Sequence, residues 1–129
     1  MNTHTGTVTT TFKISDEQLD DFMGLGAGYW ARGLQRVPGK ANFWSVVEFA
    51  DGPPETHHFT TADIISAFER CIANKNRQGD RIMANYIARY FLDATRDPEP
   101  DGTIDAGMID DEAGDVLLQV ILFDEIKYG

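Results

Sequence analysis

With one cysteine, Cys71, the chain has no internal disulfide to brace it. Cys71 falls on the apolar side of a helical pattern, so it reads as an inert core thiol in a reducing cytosol. Long apolar runs are also missing. None approaches the ~20 residues that a membrane helix needs, which argues against a membrane partner. The start, Met1-Asn2-Thr3-His4-Thr5-Gly6, has neither the basic residues nor the apolar core of a secretory signal, so a cytoplasmic protein is expected. Cations are scarce too. Lys and Arg number 11 against 21 Asp and Glu, a net charge of −10, whereas a phosphate backbone selects the opposite balance; direct nucleic-acid binding is not expected. No nucleophile elbow, zinc-ligand spacing or paired-carboxylate signature is visible, so an enzyme is unsupported, and no cofactor or metal is assigned.

What is present reads as one domain, residues 1–129, long enough to bury a core without staples. The alternation of Val8, Thr10, Phe12 and Ile14 with Thr7, Thr9, Thr11 and Lys13 predicts a strand over Thr7 to Ile14. Ser15 with Gln18 then makes a capping box, and Ile14 with Leu19 a hydrophobic staple. Leu19, Phe22, Met23, Gly26, Tyr29 and Trp30 give the helix that follows a core face. Its glycines, Gly24, Gly26 and Gly28, with Gly33 beyond, each weaken a helix by ~1 kcal/mol and point to close backbone approach. Gly24-Leu25-Gly26-Ala27-Gly28 is no phosphate-binding loop on this reading, because such loops follow a strand and open a helix.

After a turn at Val37-Pro38-Gly39, Phe43 to Phe49 and Glu55 to Phe59 form a hairpin around Asp51-Gly52-Pro53-Pro54. His57 and His58 point to opposite faces of its return strand and cannot easily share a metal ion. Thr60 with Asp63 caps a helix running to about Asn74. Gly79 and Asp80 stop and restart the pattern, and Ile82, Met83, Tyr86, Ile87, Tyr90 and Phe91 make a third helical stripe. The last segment, from Asp110 to Gly129, opens with acids, closes with Lys127, and carries an apolar face so wide that only Asp115, Gln119, Asp124 and Glu125 are left for water. The expectation is an α+β fold: a short antiparallel β-sheet packed against three to four helices, with the C-terminal helix central or at a dimer interface. A homodimer or larger homo-oligomer follows from the second option.

The charge is unevenly placed. From Arg70 to Arg96 the chain has Arg70, Lys75, Arg77, Arg81, Arg89 and Arg96 against Asp80 and Asp93; from Asp97 to Asp115 it has eight acids and no base. Arg81, Asn85 and Arg89, spaced by four, line one helical face with Arg77 just before it. A solvated basic face is the plain reading of this group, since exposed charges are common. The sharper reading is a small-anion site, because Arg suits bidentate phosphate contacts and Tyr29 and Trp30 could stack a base. Asp97, Glu99, Asp101, Gly102 and Thr103 match the first seven positions of an EF-hand loop, but Met108 stands where its bidentate glutamate belongs. An acidic surface turn is the alternative.

Gly26-Ala27-Gly28-Tyr29-Trp30-Ala31, together with Gly114-Asp115-Val116-Leu117-Leu118-Gln119 running to Phe123-Asp124-Glu125-Ile126-Lys127-Tyr128-Gly129, resembles small phage-encoded proteins. These carry a Tyr-Trp pair and end in Ala-Asp-x-x-x-Gln-x-x-x-Phe-Gly-Glu-x-x-Tyr-Gly. Gly114 and Asp124 depart from that pattern. The nearest functional relatives implied are anti-Thoeris phage sponge proteins, which sequester nucleotide immune signals made by TIR-domain defence systems. The resemblance implies a non-catalytic binder of a cyclic ADP-ribose-type or cyclic oligonucleotide signal. An inhibitor from another class, using the acids of 97–115 to imitate nucleic acid before a host protein, is the alternative.

Overall fold

The structure is a computed structural model that describes residues 11–129. In chain order it has α1 (Asp16–Phe22), β1 (Ala31–Val37), β2 (Lys40–Glu48), β3 (Glu55–Thr60), α2 (Thr61–Ala73), α3 (Asn85–Arg96), a 3₁₀ turn (Ala106–Met108) and α4 (Asp111–Phe123). The strands form one antiparallel sheet in the order β1-β2-β3, so the fold is α+β as expected. Trp44, Val46 and Glu48 alternate along β2 as its buried side, and helices cover that side while Phe43 on the other is about half exposed. Alternation of this kind is what a sheet with one covered face requires.

The local stop and start signals act as their chemistry predicts. Ser15 accepts from the Gln18 N–H while the Gln18 side chain accepts from the Ser15 N–H, and Thr60 and Asp63 repeat the arrangement on α2. Asp110 caps α4 through the Ala113 N–H. Pro38 and Gly39, the latter at φ 76°, make the tight turn between β1 and β2, the sequence pattern of a type II turn.

Four elements differ from expectation. The C-terminal helix foreseen to Gly129 ends at Phe123, where Asp124 turns left-handed at φ 57°. α3 starts at Asn85 and not just after Asp80, and two segments near the N-terminus change their form. Of the strand foreseen over Thr7 to Ile14, residues 7–10 lie outside the described residues, and 11–14 are not in a strand; Lys13 accepts instead from the Ile104 N–H. The third strand is Ala31–Val37. The helix foreseen through Trp30 stops at Phe22 because Gly24 and Gly26 turn the chain at positive φ, where residues with side chains are strained. Trp30 therefore stands at the mouth of a strand.

α4 is the hub of the core. Val116, Leu117, Leu118 and Val120 are buried, as are Ala113 and Gly114, and the helix packs against α2, α3 and β3. Full burial of each large aliphatic chain contributes about 1.5–3 kcal/mol. Most of the apolar face that motivated a homodimer is covered within the chain itself, with Ile121, Leu122 and Phe123 partly buried against the same core. Cys71 is buried in the same core, and burial pushes its thiol pKa up, consistent with an inert thiol.

The expected close approach of glycine backbone is found where the turn after α1 meets α4. A Cβ on Gly26 would lie 2.0 Å from the Asp111 carbonyl oxygen, and one on Gly114 would lie 2.7 Å from Leu25 Cβ and 2.8 Å from its carbonyl oxygen. Gly114→Ala tests the contact. Alanine favours a helix by ~1 kcal/mol over glycine, but overpacking against fixed backbone costs about 1–3 kcal/mol, so a net loss is expected in denaturant unfolding. A stabilised variant would show that the approach is looser.

Candidate functional site

The basic segment is held in place by asparagines. Asn74 ends α2 in the left-handed conformation, its side-chain oxygen accepts from the N–H groups of Ile82 and Met83, and its amide donates to Met83 O at 2.9 Å and Asn85 Oδ1 at 3.3 Å. Asn76 Oδ1 accepts from the N–H groups of Gln78 and Asp80. These bonds hold 80–84 outside the helix, so α3 begins at Asn85 and Arg81 does not share a helical face with Asn85 and Arg89. Met83 is buried as the plug of this turn.

Asn85 and Arg89 do come together. With Asn74, Ile72, Ala88 and Leu92 they line a shallow groove of about 320 Å³ between the end of α2 and the first turns of α3. The Asn85 oxygen is used by Asn74, and its amide N–H groups have no protein partner among the described residues. Above them α3 starts without a cap. Its N-cap is Ala84, no side chain bonds the first turn, and no acid stands there, whereas α1, α2 and α4 are each capped by a side-chain oxygen. Unpaired N–H groups and the helix dipole make such an end attractive to an anion. Glu112 reaches α3's start only through the Tyr86 hydroxyl, which donates to it at 2.8 Å.

Lys75, Arg77, Arg81 and Arg89 make no ion pair among the described residues, while Arg70 pairs with Asp124 and Arg96 with Asp93. Arg81 immediately precedes Ile82, which Asn74 holds. Arg77 is exposed, and its backbone N–H donates to Asp124 at 2.9 Å. Neither Arg77 nor Arg81 lines the groove itself.

Tyr29 and Trp30 belong to a different structure. Trp30 is fully buried, its ring stacked on Tyr128 at 5.1 Å and against Phe123 at 5.6 Å, so it has no face free to stack a base. Its indole N–H donates to Asp115 Oδ1 at 2.6 Å, and the Tyr29 hydroxyl donates to Oδ2 at 2.6 Å. Partial burial and that bond to a carboxylate push the Tyr29 pKa up to about 12. Gln119, fully buried, accepts from the N–H groups of Lys127 and Tyr128 and donates to Asp115 and to Tyr128 O. Asp115 and Gln119, assigned to water from the sequence, instead dock the C-terminal tail onto the Tyr-Trp pair. The polar residues of both stretches that carried the resemblance are thus spent on one another. No hydrogen bond or ring contact among the described residues links Tyr29 or Trp30 to the groove.

The tail also closes over Glu48. This residue is 4% exposed and accepts from Lys127 Nζ at 2.5 Å, from the Tyr128 hydroxyl, and from His57 Nε2 at 2.9 Å when that nitrogen is protonated. Nothing in the sequence marked it, since one glutamate in an apolar strand reads as a solvent-facing position.

The acids of 97–115 are largely occupied. Asp101 accepts from Thr103, Asp105 from the Gly107 N–H, Asp110 from Ala113, Glu112 from Tyr86 and Asp115 from Tyr29 and Trp30. The ligand atoms of Asp97, Glu99 and Asp101 do not gather at one point; among the described residues Glu48, Glu55 and His57 are the trio whose ligand atoms lie within 4.8 Å of one another. A broad groove between α1 and this loop is lined by Glu17, Asp21, Glu99 and Asp101, which would repel phosphate. No helix among the described residues is long and apolar enough to cross a membrane. Compared with models of protein families, with curated proteins and with solved structures, the chain matches none of them.

Proposed function

We propose that the protein is a non-catalytic binder of a small phosphate-bearing nucleotide, held in the groove formed by Asn85, Arg89 and the open start of α3. The observation that carries this is a groove lined by Asn85, the first residue of α3, and by Arg89, which makes no ion pair among the described residues, on a helix that lacks the side-chain cap that α1, α2 and α4 have. Phosphate would take the α3 N–H groups, the Asn85 amide and Arg89, with Arg81 and Arg77 adding positive potential nearby. Ile72, Ala88 and Leu92 offer the base an aliphatic floor, a role that Trp30 cannot fill. The lining holds amides, one guanidinium and aliphatic carbons, so it supplies no general base for turnover. The groove lies within one chain, and the proposal needs no second copy. A sponge for a cyclic ADP-ribose-type or cyclic oligonucleotide signal, as the resemblance implies, fits this chemistry. The nucleic-acid-mimic alternative has weaker support, because five of its eight acids accept internal hydrogen bonds and leave Asp97, Glu99 and Asp111.

Calorimetry or native mass spectrometry against inorganic phosphate and a panel of cyclic and linear nucleotides tests the site. Arg89→Ala is expected to weaken binding at least about tenfold, since a hydrogen bond to a charged group contributes about 1.5–3 kcal/mol. Arg81→Ala should have a smaller effect that shrinks with salt. Heating should release the ligand unaltered; a changed ligand would mean an enzyme.

The cap supplies a sharper discriminator. Ala84→Asp is expected to stabilise the free protein by about 0.5–2 kcal/mol while weakening anion binding by competing for the same N–H groups. No binding across the panel, or binding indifferent to Arg89→Ala and Ala84→Asp, removes the site.

A further inference from the structure

The sheet register sets two carboxylates against each other. Glu48 on β2 and Glu55 on β3 are direct partners, and His57, two residues further along β3, shares their face opposite Val46. Like charges directly opposite on paired strands are destabilising unless something offsets them. Lys127 offsets Glu48 only in part: it sits on Oε2 at 2.5 Å and divides its charge with Asp51 at 3.1 Å. Among the described residues Glu55 has only the His57 ring, 3.9 Å away, as an ionic partner.

We infer that Glu48, His57 and Glu55 form a binding site for a divalent transition metal ion such as Zn²⁺. Three geometric facts carry this. One ligand atom from each residue lies within 4.8 Å of the other two, with His57 Nε2 at 2.9 Å from Glu48 Oε1 and 3.9 Å from Glu55 Oε2. Tetrahedral ligands at zinc distances of 2.0–2.2 Å stand about 3.4 Å apart, so these two separations bracket the value required. Glu48 also divides its oxygens suitably. Oε2 is held by Lys127 and Tyr128, which leaves Oε1 for the ion, and such outer partners fix the orientation of a ligating carboxylate. Finally, the residues range from buried Glu48 through half-buried His57 to exposed Glu55, so an ion enters from solvent and keeps a position open for water.

The local charge agrees. Glu48, Glu55 and Asp51 against Lys127 leave two negative charges beside the imidazole, which a divalent cation cancels. Binding requires the Nε2 lone pair, so the ring proton resides on Nδ1 or is released. A histidine and two carboxylates suit Zn²⁺ or Co²⁺ better than Ca²⁺, which takes oxygen ligands. The inference is independent of the nucleotide groove.

Titration of the metal-free full chain with Co²⁺, followed by visible absorption and then by displacement with Zn²⁺, tests it. One equivalent should bind and give a low-symmetry spectrum. Both His57→Ala and Glu55→Ala should lower affinity at least about tenfold, the scale on which even outer partners of metal ligands act. Glu55 is exposed, so its variant leaves the core intact and keeps the test readable if His57→Ala fails to fold. Absence of the spectrum, or affinity unchanged in Glu55→Ala, overturns the assignment. Binding as tight as the parent's by both variants would place the ion elsewhere and overturn it equally.

Discussion

Asp115→Ala should lower stability by about 3–5 kcal/mol, because charge-assisted hydrogen bonds contribute about 1.5–3 kcal/mol each and a buried donor left unpaired adds its own penalty. The carboxylate takes protons from Trp30, Tyr29 and Gln119 at once. Tyr29 is half exposed and can turn to water, but the Trp30 indole N–H is buried beneath Tyr128 and has nowhere to go. Gln119 would lose one of the bonds that position it over the Lys127 and Tyr128 backbone, so the tail should loosen with the indole. The midpoint of thermal unfolding should drop by roughly 10–20 °C for a domain of this size. Asp115→Asn keeps an acceptor and the shape, and should lose only part of this. Near-ultraviolet circular dichroism would report the Trp30 environment. An Asp115→Ala protein within about 1 kcal/mol of the parent would show that the lock holds little.

The second large effect belongs to Glu48. Removing one partner of a buried charge network costs about 3–5 kcal/mol, and Glu48→Ala should fall near the lower end because Lys127 can rehydrate. Its pH signature is more specific. Burial by itself would raise the Glu48 pKa, but hydrogen bonds from Lys127, Tyr128 and His57 outweigh it and hold the carboxyl at about 2 against an ordinary 4.5. A depressed carboxyl pKa contributes stability that is complete above the unfolded value and disappears as pH falls through the folded one. The parent should therefore lose this contribution between about pH 4.5 and about pH 2, while Glu48→Gln lacks that loss. Denaturant unfolding across the window checks it. Parallel curves for the two proteins would mean that Glu48 is not held as described.

Much of the fold was legible because its signals are local. A capping box needs only Ser15 and Gln18, or Thr60 and Asp63, and both caps stand where side-chain chemistry put them. The apolar breadth of 116–123 announced a helix either central or at a dimer interface, since so wide a face must be covered, and packing within the chain placed it at the centre. The hairpin of β2 and β3 was marked by Asp51-Gly52-Pro53-Pro54, and the glycines near residue 26 announced close backbone approach without naming Asp111 as the partner.

What the tertiary structure alone decided is where one segment meets another distant in sequence. The apolar spacing of Leu19, Phe22 and Trp30 fits a helix, yet Gly24 and Gly26 end it, and β1 exists because β2 offers a ladder that spacing cannot reveal. Asn74 looked like a helix stop, but it also sets the start of α3 by holding Ile82 and Met83, which separates Arg81 from Asn85 and Arg89. Asp115 and Gln119 looked solvent-facing because polarity within a helix says nothing of a tail arriving from residues 127 and 128. Glu48 was invisible for the same reason: a charge becomes tolerable in a core only when Lys127, Tyr128 and His57 reach it, and such meetings are set by packing across the whole chain.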